Sequence, residues 1–128
     1  MTTPPVQAFI LFAHGARDAK WAHTLHQLRD AVHARRPSAY VSLAFLEFQA
    51  PTLGDALEAA AAAGCRRIDV VPVFWASGGH VTNDVPPLLD AFRRAHPQVE
   101  LGLQPVLSEL PGMMDFIAGA LDGLAPRT

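Results

Sequence analysis

The sequence is poor in the residues that staple small proteins or mark nucleic-acid binders. Cys65 is its only cysteine. One thiol cannot close an intrachain disulfide, and it cannot build an iron–sulfur cluster or a cysteine-based zinc site within one chain. That usage fits a reducing setting, so a cytoplasmic protein is expected. Positive charge is short as well: 10 lysines and arginines stand against 12 acidic residues, for a net charge of −2. Arg35–Arg36, Arg66–Arg67 and Arg93–Arg94 are isolated pairs near predicted helix ends, where they read as solvated charge complementing the helix dipole. No basic stripe marks a nucleic-acid face. No apolar stretch reaches the roughly 20 residues of a membrane span. The opening MTTPPVQ lacks the basic and apolar parts of a secretory signal. A soluble protein with no nucleic-acid and no membrane partner is expected. The dinucleotide pattern GxGxxG and the phosphate loop GxxxxGKS/T are absent, and Ser77 lacks the GxSxG context of a nucleophile elbow.

What is present is material for a core. Half of the 128 residues are hydrophobic, far from the composition of a disordered chain. Gln7–Ala13 (QAFILFA) is a short continuous apolar run, suited to a buried strand. From Asp18 to about Arg35 the period becomes helical, with Trp21, Leu25, Leu28 and Val32 on one face. Pro37 lies just beyond. Tyr40–Leu46 is strand-like again. Thr52 opens a second helix, with Asp55 three residues on as a weak capping box. Leu53, Leu57 and Ala60 line its inner face, and Gly64 suits the residue just past its end. Ile68–Trp75 predicts a third strand. Pro72 inside it cannot donate to a ladder, so a bulge or irregular pairing is expected there. Val85, Leu88, Leu89 and Phe92 mark a third helix, with Pro86 and Pro87 in its first turn. Val99–Leu103 is a short fourth strand. Leu110, Met113, Ile117, Leu121 and Leu124 mark a last helix. The order βαβαβαβα with short connections predicts a single α/β domain over residues 1–128, a mostly parallel four-stranded sheet flanked by helices.

In open α/β sheets ligands bind outside the carboxyl ends of the strands. The first strand delivers His14–Gly15 to that edge, the second Glu47, and the third Gly78–Gly79–His80. Gly78 and Gly79 permit a sharp turn and leave space for a close ligand. Two imidazoles and a carboxylate suit a divalent first-row metal, and the same groups serve as proton acceptors. Each alone also fits a structural role, as a satisfied strand-end histidine or a surface acid. His23, His26 and His33 lie opposite the apolar stripe of the first helix and read as solvent-facing; His96 reads as an exposed helix end.

Three stretches, HGARD at 14–18, FLE at 45–47 followed by Pro51, and GGHVTNDVP at 78–86, resemble the short sirohydrochlorin chelatases of the CbiX/SirB type, the class II chelatases. The resemblance runs in order from about Phe9 to Leu124. It implies insertion of a divalent metal, Co²⁺ or Fe²⁺, into sirohydrochlorin without ATP and with no cofactor beyond that metal. His14 and His80 match the family's two histidines and Glu47 its acidic residue. Chains of this length resemble one half of a two-lobed chelatase, which implies a homodimer. Ala16 stands where the family commonly has serine, removing a hydroxyl near the site. Arg17 is expected to hold carboxylates of the tetrapyrrole. Cobalt is the leading metal. A sirohaem ferrochelatase, a nickel chelatase, a metal or tetrapyrrole carrier without turnover, and a purely structural half-chelatase remain as alternatives.

Overall fold

The computed structural model describes residues 6–79, 83–124 and 126. Strands β1 (Gln7–Ala13), β2 (Tyr40–Phe45), β3 (Arg67–Pro72) and β4 (Glu100–Leu103) alternate with helices α1 (Trp21–Arg35), α2 (Leu53–Ala62), α3 (Val85–Ala95) and α4 (Met113–Asp122). All pairings are parallel, in the order β2-β1-β3-β4. β1 is central and apolar on both faces, as its unbroken apolar sequence requires. Ala8, Ile10 and Phe12 face α2 and α3 together with Ile68 and Val70. Leu11 and Ala13 turn the other way, towards Leu25 of α1. The chain leaves β1 towards β2 and leaves β3 towards β4, so the switch point of the sheet lies between β1 and β3. That crevice is where α/β sheets place ligands.

Local signals account for several boundaries. Thr52 Oγ1 accepts a hydrogen bond from the Asp55 N–H at 3.2 Å and caps α2. Gly64 follows α2 at φ +95°, the left-handed turn that ends a helix. Pro86 and Pro87 occupy the first turn of α3. No helix among the described residues is long and apolar enough to cross a membrane.

Two expectations need correction. β3 stops at Pro72 instead of running to Trp75, and no bulge is formed. Its register with β1 is unbroken from Gln7 opposite Arg67 to Phe12 opposite Pro72. In the β4 register the missing proline N–H faces Gln104, one residue past the end of β4, so it interrupts no regular pairing. The chain beyond still follows the sheet: the Val73 N–H donates to the Phe12 carbonyl at 2.7 Å.

The second correction concerns α4, which runs only over Met113–Asp122 and leaves Leu110 and Leu124 outside the helix. Leu110, Met113 and Ile117 are half-buried, while Leu121 and Leu124 remain 61% and 78% exposed. A 3-10 turn at Leu107–Glu109 is held to the end of β3 by hydrogen bonds from Leu107 and Ser108 N–H to the Phe74 and Trp75 carbonyls. Gly112, at φ +82°, then starts α4 off the sheet. No residue of α4 is buried.

Among the described residues one charged side chain is buried: Asp69 of β3, at 3% exposure. It accepts hydrogen bonds from Arg67 Nη2 at 2.6 Å, Gln104 Nε2 at 2.7 Å and Gln7 Nε2 at 3.0 Å. Burial pushes its carboxyl up. The hydrogen bonds from Arg67, Gln7 and Gln104, with the charge of Arg67, outweigh burial and hold it below the ordinary carboxylate range.

Candidate functional site

The ladder between β1 and β2 continues past the end of β2. Leu46 N–H donates to the Ala13 carbonyl at 2.9 Å and Glu47 N–H to the His14 carbonyl at 3.0 Å. Glu47 is thereby carried alongside His14 to the carboxyl edge of the sheet. Their side chains meet there, Nε2 of His14 lying 3.1 Å from Oε1 of Glu47. Both are about half exposed, at 47% and 49% of the side chain, so the pair is open to a ligand.

Each ring nitrogen of His14 faces an acceptor: Nδ1 is 3.1 Å from the Gly15 carbonyl, and Nε2 meets the Glu47 carboxylate. Nε2 and the Glu47 carboxylate therefore converge either around a shared proton or around a cation. A histidine that donates one ring N–H to a backbone carbonyl is in the arrangement metal-binding imidazoles use.

Close approach of the two loops depends on Gly15. A β-carbon built there would collide with the Glu47 carbonyl oxygen, and Gly15 adopts φ +95°. The loops are joined again one residue later, where the Ala16 N–H donates to Gln49 Oε1 at 3.1 Å. At the position where a serine is common, this chain thus ties its backbone to a glutamine side chain.

Arg17 is exposed on the loop after β1, with its guanidinium carbon 5.0 Å from the centroid of the Phe48 ring. Gly78 and Gly79 are exposed, with open space where a β-carbon on Gly78 would stand. His80 lies outside the described residues. Among the described residues no three histidine, cysteine, aspartate or glutamate side chains form a metal-binding group; His14 and Glu47 are two donors. His96, expected to be an exposed helix end, instead pairs with Glu58 of α2 at 2.9 Å and stacks on Phe92.

An apolar groove of about 550 Å³ runs along α1. Ala13, Leu25 and Val73 form its floor, and Trp21, Leu28 and Leu107 are among its walls. Phe48 and Gln49 are site-edge residues that sequence reasoning missed. Nothing in the stretch EFQAP signals that Phe48 takes a left-handed backbone at φ +68°.

Known proteins resemble this chain along most of its length. The CbiX family model covers residues 8–122. The chain is 36% identical over 91 residues to the sirohydrochlorin cobaltochelatase of Methanocaldococcus jannaschii, a match covering 71% of this chain and 64% of that protein. It is 34% identical over 80 residues to the enzyme of the same name from Methanosarcina barkeri, covering 62% of each. The chain thus spans about three fifths of the length of these curated relatives. Among solved structures, a cobalamin (vitamin B12) biosynthesis CbiX protein from Marinobacter aquaeolei VT8 superposes with a TM-score of 0.76 at 27% identity, over 92% of this chain and 96% of that one. The sirohydrochlorin chelatase SirB from Bacillus subtilis subspecies spizizenii, solved in complex with cobalt, superposes at 0.63 with 28% identity, over 77% of this chain and 43% of that one. Taken with the parallel sheet and its strand order, the match over residues 8–122 shows that this chain belongs to the CbiX family.

Proposed function

We propose that this chain is an ATP-independent chelatase that inserts Co²⁺ into sirohydrochlorin. The observation that carries the proposal is the convergence of His14 Nε2 and Glu47 Oε1, 3.1 Å apart, at the ligand-binding edge of the sheet. Membership of the CbiX family supplies the substrate class. Metal and macrocycle are both substrates, and we propose no resident cofactor.

The pair suits this chemistry because it handles cations and protons with the same lone pairs. His14 and Glu47, with His80 as the resemblance implies, hold the incoming metal loosely in place of some of its waters. The macrocycle settles over the edge, and ring nitrogens displace the protein donors one at a time. Insertion releases two pyrrole protons for each divalent metal. As the metal leaves, the Nε2 lone pair and the Glu47 carboxylate become free bases, each able to accept one proton. Holding ring and metal together supplies the proximity that makes exchange efficient.

A homodimer belongs to the same proposal. α4 carries only Asp115 and Asp122 as charges, and Met114, Phe116 and Leu121 are exposed by 56%, 73% and 61%. Apolar side chains exposed to this extent on one helix call for covering. The chain also corresponds to 43% of the SirB chain, so a second copy would supply the missing half. The buried, unpaired Cys65 thiol suits the reducing cytoplasm in which we place the protein.

The test mixes purified protein, sirohydrochlorin and Co²⁺ and follows the absorbance change above the spontaneous rate, with parallel arms in Fe²⁺ and Ni²⁺. Acceleration with Co²⁺ supports the proposal. Acceleration only with another metal reassigns the metal. Tight binding without acceleration makes the protein a carrier.

A further inference from the structure

Phe48, the residue after Glu47, takes part in none of the steps above. It is 54% exposed, and its backbone sits at φ +68°. For a bulky aromatic side chain that left-handed conformation is an outlier. Core packing does not require it, because the ring is not in the core. The ring instead lies under Arg17, whose guanidinium carbon is 5.0 Å from the ring centroid.

Arg17 has no hydrogen bond or ion pair among the described residues. The neighbouring Asp18 is engaged elsewhere, its Oδ1 accepting from the Lys20 N–H at 2.9 Å. A cation over an aromatic face is held by the ring quadrupole, and that contact uses none of its N–H donors. The planar fork therefore stays available to a carboxylate, which it can bind through two parallel hydrogen bonds. The two side chains come from different loops, Arg17 after β1 and Phe48 after β2. Those loops are fixed to each other by the Glu47-to-His14 backbone bond and by Gln49 on Ala16. The left-handed turn carries the ring out of the strand's path and sets it beneath the arginine.

We infer that Phe48 is a positioning residue that holds the Arg17 fork at the mouth of the His14–Glu47 pair, ready for a carboxylate of the tetrapyrrole. The inference rests on the proposed chelatase reading for its ligand, a polycarboxylate macrocycle. It adds that affinity for that ligand depends on a ring that acts through Arg17.

Phe48→Gly, Phe48→Tyr, Arg17→Ala and the double variant Arg17→Ala/Phe48→Gly test it. Glycine removes the ring and favours the backbone that residue 48 already has, so the fold is kept and thermal unfolding checks that. Metal-free sirohydrochlorin is titrated against each protein, and steady-state rates are measured with Co²⁺. Phe48→Gly should raise KM about tenfold with kcat nearly unchanged, a loss in the range of a cation–π contact and its preorganisation. Phe48→Tyr keeps a ring and should restore wild-type KM. The double variant should be no worse than Arg17→Ala, because the ring has nothing left to position. Independently of any ligand, NMR of the Arg17 Nε–H should show greater mobility in Phe48→Gly. Wild-type KM in Phe48→Gly, additive losses in the double variant, or unchanged Arg17 mobility would each overturn the role of Phe48. A wild-type protein that neither binds nor metallates sirohydrochlorin, while Arg17 still loosens in Phe48→Gly, defeats the chelatase reading and leaves the Arg17–Phe48 coupling standing.

Discussion

Gly15 and Glu47 meet backbone to backbone: the α-carbon of Gly15 sits so close to the Glu47 carbonyl that no β-carbon fits between them. This approach is what lets two loops from different strands bring His14 and Glu47 to 3.1 Å. The site is built on main-chain proximity, and the side chains follow from it.

Gly15→Ala is therefore expected to damage stability and metal binding together. The new β-carbon must displace the Glu47 carbonyl, and alanine disfavours φ +95°, at a cost of about 1–3 kcal/mol. Thermal unfolding and Co²⁺ titration of the same preparation read both effects. Wild-type values in both would show that the loops close without the glycine.

His14→Ala and Glu47→Gln should each weaken Co²⁺ binding by at least about tenfold, since a ligand set missing one donor holds metal poorly. Glu47→Gln keeps shape and hydrogen-bonding capacity but removes the charge. The double variant should lose little more than the worse single one, as residues acting as a unit are not additive. Calorimetric titration alongside the chelation rate checks this, and independent additive losses would break the unit into two unrelated residues.

Asp69 is expected to contribute to the acid limit of stability. Its folded value is held below the ordinary one, so its contribution is present above the unfolded carboxylate value of about 3.9 and is lost as pH falls through the lower folded value. Urea unfolding midpoints should drop steeply below about pH 4. Asp69→Asn should cost about 2–3 kcal/mol at neutral pH by removing the charged acceptor shared by Arg67, Gln7 and Gln104, Glu100 remaining as the other ion-pair partner of Arg67, and should flatten that acid slope. An identical slope in the variant would assign the acid sensitivity to other carboxylates.

The exposed face of α4 predicts assembly. Light scattering at micromolar concentration should give twice the chain mass for the wild type. Phe116→Glu and Leu121→Glu should give monomers with unchanged circular dichroism, because neither side chain is buried within the chain. Dimers that survive both substitutions would place the contact elsewhere.

Much of the fold was legible in the sequence because it depends on local rules. The apolar run of β1, the Thr52 cap, the glycine after α2 and the prolines opening α3 each follow from neighbours within a few residues. His14 and Glu47 could be placed at one edge because strand ends in a parallel sheet share a direction, and β1 lies next to both β2 and β3. Pro72 misled because its effect depends on whether a partner strand extends that far, and β4 does not. The apolar residues of α4 marked a helix, but periodicity does not say what covers its apolar side chains.

Sequence alone therefore determined the element order, the parallel α/β class and the sheet edge at which His14 and Glu47 stand. The tertiary structure decided how close those residues come, that Phe48 turns left-handed beneath Arg17, that Asp69 is buried among its donors, and that α4 leaves the sheet. These outcomes depend on pairs far apart along the chain, where backbone sterics and hydrogen bonds across the sheet, rather than neighbouring residues, set the lowest free energy.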